Sequence, residues 1–251
     1  MEKFIFCLED SLKNCSRKQF RDFIFQSVIP GILKHNPENC KLTISATDQP
    51  AISILPLNRT GFAMFSLAGI DLSAMVKELK QHKNPERSVY GYRVHESPYL
   101  LCERTWNRGE ESPGFILLTM FKKKSGMPKE EFMRIWFGEH SPKAITTHPL
   151  INYIRNVVRG CIAEDTPEFD SIVEEHFGSE RDLLNPVRMF GGIGKFIPSM
   201  LRVYLHVSKF IDMPTIRNYI CREYLLAGEL AACNEEMRDD IVARDRGSVL
   251  A

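Results

Sequence analysis

The sequence reads Met127-Pro128-Lys129-Glu130-Glu131-Phe132-Met133-Arg134-Ile135-Trp136-Phe137-Gly138-Glu139-His140-Ser141-Pro142 at its most informative stretch. Pro128 suits the first turn of a helix, and the acidic pair that follows complements the positive end of the helix dipole. Counted from Phe132, the positions i+3, i+4, i+7 and i+8 place His140 on the same buried stripe as Trp136. The stretch therefore predicts an amphipathic helix with a histidine on its inward face.

An earlier part of the chain repeats this layout at an offset of 112 residues. The offset aligns Phe20 with Phe132, Phe25 with Phe137, Pro30 with Pro142, Pro37 with Pro149 and Leu42 with Ile154. Each copy also begins with an apolar strand, at 3–8 and at 115–121. Ile24 and Val28 stand where the second copy has Trp136 and His140. We therefore predict two copies of one module, of which the first is degenerate and only the second carries the histidine.

The order of elements in each copy is strand, helix, strand, strand, helix, strand. Third strands are predicted at 61–67 and 171–177, second helices at 72–82 and 180–189, and fourth strands at 88–96 and 200–208. This order is the ferredoxin-like plan, whose open sheet has helices on one face only. The sequence thus predicts an α+β fold of two tandem ferredoxin-like halves, residues 1–105 and 113–212, packed sheet to sheet around a lumen.

The last predicted strand and the segment after it complete this scheme. At 200–208 apolar residues alternate with a polar set formed by Arg202, Tyr204, His206 and Ser208. The polar set is expected to line the lumen, or to lie on an exposed sheet if the halves do not pair. Asp212 and Pro214 then predict the start of a C-terminal helix that runs to about residue 232, followed by a polar tail, so that 213–251 form a third segment.

The composition is that of a folded protein without a strong charge bias. Hydrophobic residues make up 43% of the chain, and 33 basic residues against 32 acidic ones leave a net charge of +1. This balance argues against nucleic acid as a partner. The sequence has no apolar run long enough for a signal peptide or a membrane span, so we expect a cytoplasmic protein that does not bind membranes. The seven cysteines form no Cys-x-x-Cys pair and are expected to be reduced thiols.

From about residue 113 to 210 the chain resembles the EthD family. The resemblance is carried by Phe121-Lys122-Lys123-Lys124-Ser125-Gly126, Glu131-Phe132…Trp136…Glu139-His140-Ser141-Pro142, Tyr153…Asn156-Val157 and Phe169-Asp170-Ser171-Ile172…Glu174. EthD-like domains belong to the dimeric α+β barrel superfamily, in which two ferredoxin-like units pack sheet to sheet around a pocket. Its members include polyketide cyclases, dehydratases, isomerases, cofactor-free monooxygenases and some haem enzymes. The resemblance thus implies the fold more strongly than any one reaction.

His140 and His206 are the candidate catalytic residues. The C-terminal end of a helix favours the charged imidazolium of His140, whereas burial beside Trp136 opposes it, so we expect a pKa close to neutrality and general acid or base chemistry. The alternative is a histidine that only caps the helix. His206, which aligns with His95 at a later offset of 111 residues, is the candidate for a second proton relay.

The candidate substrate-binding residues surround this histidine in the predicted fold. Trp136 is expected to wall the pocket, and the polar candidates are Tyr153, Asn156, Glu174, His176 and Tyr204. Glu174 and His176 share a face of the third strand, but without a third ligand at readable spacing we predict no metal. Some relatives bind haem, for which His176 or His206 can serve, yet no haem-specific spacing is present and we predict no cofactor.

A glycine-rich segment that resembles a phosphate-binding loop lies at Gly191-Gly192-Ile193-Gly194-Lys195. It lacks the Walker spacing and the following Ser or Thr, so it is predicted to be a flexible loop that can act as a lid.

The sequence thus favours a cofactor-independent enzyme of the lyase, cyclase, dehydratase or isomerase type. Its expected ligand is a hydrophobic, oxygenated aromatic or polyketide-like metabolite. A cofactor-free monooxygenase and a non-catalytic binding protein remain alternatives, and the chain is expected to be a monomer or a homodimer.

Overall fold

The computed structural model describes residues 3–50, 53–163 and 165–228. Its strands are β1 (Lys3–Asp10), β2 (Asn39–Ser45), β3 (Gly61–Ala68), β4 (Arg87–Leu100), β5 (Phe115–Phe121), β6 (Leu150–Cys161), β7 (Ser171–Phe177) and β8 (Arg217–Ala227). Its α-helices are α1 (Arg17–Phe23), α2 (Ile29–Leu33), α3 (Leu72–Lys80), α4 (Lys129–Met133), α5 (Ser141–Thr147), α6 (Glu180–Leu184), α7 (Pro186–Met189) and α8 (Phe196–Val207). The predicted strands at 3–8, 61–67, 88–96, 115–121 and 171–177 are confirmed.

The strands form a closed antiparallel barrel in the order β1-β3-β2-β8-β5-β7-β6-β4. The first half contributes β4-β1-β3-β2 and the second contributes β8-β5-β7-β6, which is the same ferredoxin-like order in each half. The halves join where β2 pairs with β8 and where β4 pairs with β6. The predicted fold class, two ferredoxin-like halves packed around a lumen, is therefore confirmed.

The barrel strands are buried on both faces because the lumen lies on one side and helices cover the other. In β1, Ile5 and Cys7 belong to the core inside the barrel. Their neighbours Phe4 and Phe6 pack against the helices of the first half. This arrangement follows from the period of two along a strand, and it explains why β1 reads as a continuous apolar run rather than an alternating one.

Each half has a π-helical turn at the same place in its first helix. The turns span Ile24–Val28, between α1 and α2, and Arg134–His140, between α4 and α5. The N–H groups of Ile29 and Ser141 donate to carbonyls five residues back, and the two positions differ by the 112-residue offset. A proline follows directly in both halves. Because proline lacks an N–H and its ring displaces the carbonyl four residues back, the helix accommodates it with a wider turn.

The prediction for the end of the second half is wrong. Residues 200–208, predicted as a strand, lie in or next to α8, and the segment predicted as a C-terminal helix contains β8. The alternation at 201–207 suggested a strand, but Phe196, Val203 and Val207 recur with a helical period and pack against the sheet. The second half therefore extends through Ala227. The predicted polar tail lies outside the described residues.

None of the helices in the described ranges is long and apolar enough to cross a membrane.

Candidate functional site

A cavity of about 570 Å³ lies between the second-half sheet and the helices that cover it. We call it the outer cavity, because it is on the face of the sheet that points away from the barrel lumen. Its lining is mostly apolar and comes from β5, β7, the π-helical turn and α8. The polar side chains on its wall are Thr119, His140, His148, Tyr153, Glu175, Tyr204 and Asn218. Apolar walls with a few polar groups are typical of small-molecule sites.

The fold brings three of the predicted site residues to this cavity from the start of the second half. Trp136 and His140 come from the π-helical turn, and Tyr153 comes from β6. Trp136 is fully buried, with its ring edge against Phe121 at a centroid distance of 5.7 Å. π-helical turns are common at functional sites, and here the turn ends at His140.

His140 is held in a stack of rings at one side of the outer cavity. Its ring lies 5.6 Å from that of His206 and 5.3 Å from that of Phe210, measured between centroids. Burial disfavours the charged form of the His140 ring, and the positive charges that His206, His148 and Lys143 can carry add to this effect. Together they lower the pKa of His140 to about 3. The expected pKa near neutrality is therefore not what the structure gives. At physiological pH the imidazole is neutral, so one of its ring nitrogens is free to accept a hydrogen bond or a proton.

Glu175 is a site residue that the sequence reasoning missed. It lies on β7 directly opposite Tyr153 of β6 and faces the outer cavity. Within the described part of the chain, no cation or hydrogen-bond donor pairs with its carboxyl group. Burial alone raises the pKa of Glu175 to about 7. Burial also raises the pKa of Tyr153, and the charge of Glu175 adds to the effect.

His148 also lines the cavity and was not selected from the sequence. Its Nδ1 lies 2.9 Å from the Met189 carbonyl oxygen, which can only accept, so Nδ1 carries the proton. Burial lowers the pKa of His148 and keeps the ring neutral. No sequence motif identifies His148, which directly follows α5. Its place in the cavity depends on the packing of α7, which the sequence does not show.

His206 and Tyr204 lie on α8 rather than on a strand that faces the lumen. His206 is buried against His140, with Lys143 Nζ at 3.4 Å from its Nδ1. Tyr204 stands at the rim of the outer cavity and is 55% exposed. Residues two apart on a helix point in different directions, so the predicted common face of these two residues is wrong. His95, which the repeat aligned with His206, is exposed on β4.

The remaining predicted binding residues lie in the barrel lumen and not in the outer cavity. Asn156 Nδ2 donates to Glu174 Oε1 at 3.1 Å, and Lys41 Nζ lies 2.6 Å from Glu174 Oε2. Burial favours the protonated carboxyl group, but Lys41 and Lys3 outweigh it and hold the pKa of Glu174 at about 2. Burial lowers the pKa of His176, which shares this lumen face. The single pocket expected from the sequence is thus two separate sites on opposite faces of one sheet.

The glycine-rich segment at 191–195 is a turn between α7 and α8. Phe190 and Ile197 at its two ends line the outer cavity, and Ile193 at its tip is 85% exposed. The loop therefore borders the cavity, which is the position a lid requires.

No protein family model matches the chain, and no curated protein matches it. Three solved structures are similar to the chain, two of them with a TM-score above 0.5. One described as anthrone oxidase-like has a TM-score of 0.55 at 8% identity and covers 92% of this chain and 96% of its own. A candidate monooxygenase from Fusobacterium nucleatum has a TM-score of 0.51 at 9% identity, with coverages of 92% and 96%. A candidate monooxygenase from Lactobacillus acidophilus has a TM-score of 0.49 at 7% identity, with coverages of 92% and 100%.

The likeness to the first two of these structures shows a shared α+β barrel fold. This chain supplies both four-stranded halves of the barrel itself.

Proposed function

We propose that the chain is a cofactor-independent enzyme that moves a proton on a hydrophobic, oxygenated aromatic or polyketide-like molecule held in the outer cavity. The observation that carries the proposal is Glu175, a carboxyl group without a charge partner among the described residues, facing an apolar cavity. A partly buried carboxylate without a charge partner is costly for folding and suits a base that acts near neutral pH. The EthD-like pattern around Trp136 and His140 supports the same proposal.

The size of the outer cavity fits this ligand class. At about 570 Å³ it lies within the range of roughly 300–1,000 Å³ that is usual for small-molecule sites. Trp136 and Phe121 offer aromatic walls against which a planar ring system can pack. The polar groups are few and stand apart, so they orient a substrate without making the cavity hydrophilic.

The proposed first step is the removal of a proton from an acidic C–H group of the substrate. The Glu175 carboxylate takes the proton, and the electron pair stays on the substrate as an enolate or phenolate-type anion. The neutral imidazole of His140 accepts a hydrogen bond from a substrate hydroxyl group. The Tyr153 hydroxyl, opposite Glu175, donates to the oxygen on which negative charge develops. Trp136 and the surrounding apolar side chains exclude water.

The fate of this anion defines the reaction class. In a lyase, cyclase, dehydratase or isomerase, it expels a leaving group, attacks a carbonyl of the same molecule or takes the proton back at another carbon. Glu175, protonated in the first step, returns the proton in each case. No redox partner is needed, and this reaction class is the leading proposal.

The second candidate is a cofactor-free monooxygenase, which is favoured by two of the similar structures, one described as a monooxygenase and the other as anthrone oxidase-like. In that case the substrate anion supplies the electrons that reduce molecular oxygen. A CH₂ group and O₂ give a carbonyl group and water, so the atoms balance without an added reductant. The same base begins both reactions, which is why they share one site.

The experiment is deuterium exchange of the methylene protons of anthrone in D₂O, followed by NMR without oxygen. The wild-type protein should accelerate exchange, and Glu175→Gln should lower the enzymatic rate at least 100-fold while leaving the circular dichroism spectrum unchanged. Glu130→Gln, which alters an exposed carboxyl group at the start of α4, is the matched control and should exchange at the wild-type rate.

Two outcomes count against parts of the proposal. Binding of anthrone without any acceleration of exchange contradicts an enzyme of this kind and indicates a carrier. Once oxygen is admitted, uptake of O₂ in proportion to product selects the monooxygenase, whereas turnover without uptake selects the lyase or isomerase class.

A further inference from the structure

The barrel lumen contains a second group of ionisable side chains that the proposed function does not use. We call it the lumen cluster, and its members are Lys41, Asn156, Glu174, His176 and Glu223. Glu174 and His176 lie two residues apart on β7, which places both on the face of the strand that points inward. Glu223 comes from β8, where it is opposite Thr43 of β2 at the seam between the two halves.

Three members of the cluster have the donor atoms and the spacing of a metal site. The donor atoms of Glu174, His176 and Glu223 lie within 4.8 Å of one another. A tetrahedral site with metal–ligand bonds of about 2.0–2.2 Å holds its donor atoms about 3.3–3.6 Å apart, so the three side chains need to close by up to about 1.5 Å. Rotamer adjustment of the two glutamates supplies that movement.

The three candidate ligands are buried, which distinguishes the lumen cluster from a chance group of acidic residues at the surface. Glu174 is 0% exposed, Glu223 is 3% exposed and His176 is 5% exposed. Within the described residues, His176 Nε2 is buried without a hydrogen-bond partner and lies 3.8 Å from Glu223 Oε2. Asn156 Oδ1 is also buried without a partner, beside Glu174. Polar atoms this deeply buried are normally satisfied, so these two atoms indicate that a ligand belongs among them.

The charge balance of the cluster favours a cation. Glu174 and Glu223 carry two negative charges, and Lys41 supplies one positive charge, with its Nζ at 2.6 Å from Glu174 Oε2 and 3.3 Å from Glu223 Oε2. Lys3, whose charge also acts on Glu174, is itself paired with Glu96, so one negative charge of these five groups is left without compensation in a buried setting. A divalent ion bound by the two carboxylates and the imidazole removes that imbalance.

We propose that Glu174, His176 and Glu223 form a binding site for a divalent first-row transition metal of the Zn²⁺ type, for which Lys41 is the internal competitor. Imidazole and carboxylate ligands together suit such ions better than Mg²⁺ or Ca²⁺, which prefer oxygen ligands alone. The metal joins β7 to β8 across the lumen, while the Lys41 ammonium group moves away from the carboxylates. The sequence did not show this site because its third ligand lies on the strand that was predicted as a helix.

The test is a titration of the chelator-treated full-length protein with Co²⁺, whose visible absorption reports its ligands, followed by competition with Zn²⁺. We expect one Co²⁺ per chain, displaced by Zn²⁺. His176→Gln and Glu223→Gln should each weaken binding at least tenfold. Lys41→Met should tighten it at least tenfold because the competing ammonium group is gone. His35→Gln removes a histidine paired with Glu78 at the surface and should leave binding unchanged.

Two results overturn the proposal. One is the absence of stoichiometric Co²⁺ binding in the wild-type protein, which makes the cluster an ion-pair network only. The other is binding that survives unchanged in both His176→Gln and Glu223→Gln. If Lys41→Met does not fold, the charge-conserving His176→Gln variant still decides the question.

Discussion

Replacing Glu175 by glutamine should stabilise the folded protein above neutral pH. The carboxyl group faces the outer cavity without a charge partner among the described residues, and burial raises its pKa from 4.5 to about 7. Glutamine has the shape of the protonated acid but cannot ionise. The substitution therefore removes the cost of burying a charge and leaves the packing of β7 unchanged.

The size and sign of the effect follow from the difference between the pKa of Glu175 in the folded protein, about 7, and its ordinary value of 4.5 in the unfolded chain. Between pH 4.5 and about 7 the folded protein holds a proton on Glu175 that the unfolded chain has lost, so the free energy of unfolding falls as the pH rises. A difference of 2.5 pH units at about 1.4 kcal/mol each gives about 3 kcal/mol. This is an upper value, because the Glu175 side chain is partly exposed and solvent screens its charge.

Urea denaturation at pH 4.5 and at pH 8, followed by circular dichroism, measures this directly. The Glu175→Gln variant should match the wild type at pH 4.5, where Glu175 is neutral in the folded state, and exceed it by up to about 3 kcal/mol at pH 8. Glu130→Gln keeps Glu175, so its free energy of unfolding should fall between pH 4.5 and pH 8 as that of the wild type does. A variant that is less stable than the wild type at pH 8, or a difference that is the same at both pH values, refutes the reasoning.

Three further substitutions test the placement of the site. His140→Ala should abolish enzymatic deuterium exchange of a hydroxylated anthrone, whose hydroxyl group the imidazole holds, with the fold retained, whereas the exposed His95→Ala should have no effect; equal activity of the two variants rules out a role for His140. Trp136→Ala should lower the free energy of unfolding by about 3–5 kcal/mol, because the ring is fully buried among aromatic neighbours. Trp106→Ala, at a partly exposed position, should lower the free energy of unfolding clearly less in the same urea denaturation experiment. Asn156→Ala should reduce stability but leave the exchange rate within a factor of two, and a large loss of rate moves the active site to the lumen.

The fold was predictable because two signals in the sequence agree. The 112-residue offset relates the first helices, and the order of strands and helices is the same in both halves up to the third strand. Pro30 and Pro142 mark the same interruption of a helix, which the structure shows as a π-helical turn in each half. These elements could therefore be predicted from local sequence patterns, although packing on the sheet stabilises them.

The end of the second half was not predictable from the same signals. The repeat breaks there, because α6, α7 and α8 stand where the first half has only α3. The apolar alternation at 201–207 predicts a strand, whereas the apolar period at 196–207 predicts a helix. A segment of this length fits both patterns, and packing against the sheet stabilises the helix. If residues 200–208 are taken as the fourth strand, the ferredoxin-like order of the second half is already complete. β8 is then not predicted, and Glu223 is not placed in the lumen.

The site was predictable only in part, for reasons that concern the two faces of the sheet. Trp136, His140 and Tyr153 were identified because the helix pattern and the resemblance select them, and they meet at one cavity. Adjacent Glu174 and Glu175 point to opposite faces of β7, and the sequence does not show which face borders a cavity. The extra helices of the second half create the outer cavity, and they belong to the part of the chain that was assigned wrongly.

The central claim is that Glu175 acts as the base in the outer cavity, and the pH dependence of anthrone exchange tests it most directly. For the wild-type protein, the rate of enzymatic exchange should rise with pH and reach half of its maximum near pH 7, where the Glu175 carboxyl group ionises. Glu175→Gln should remove that rise. A Glu175→Gln variant whose pH profile and rate equal those of the wild type contradicts the account.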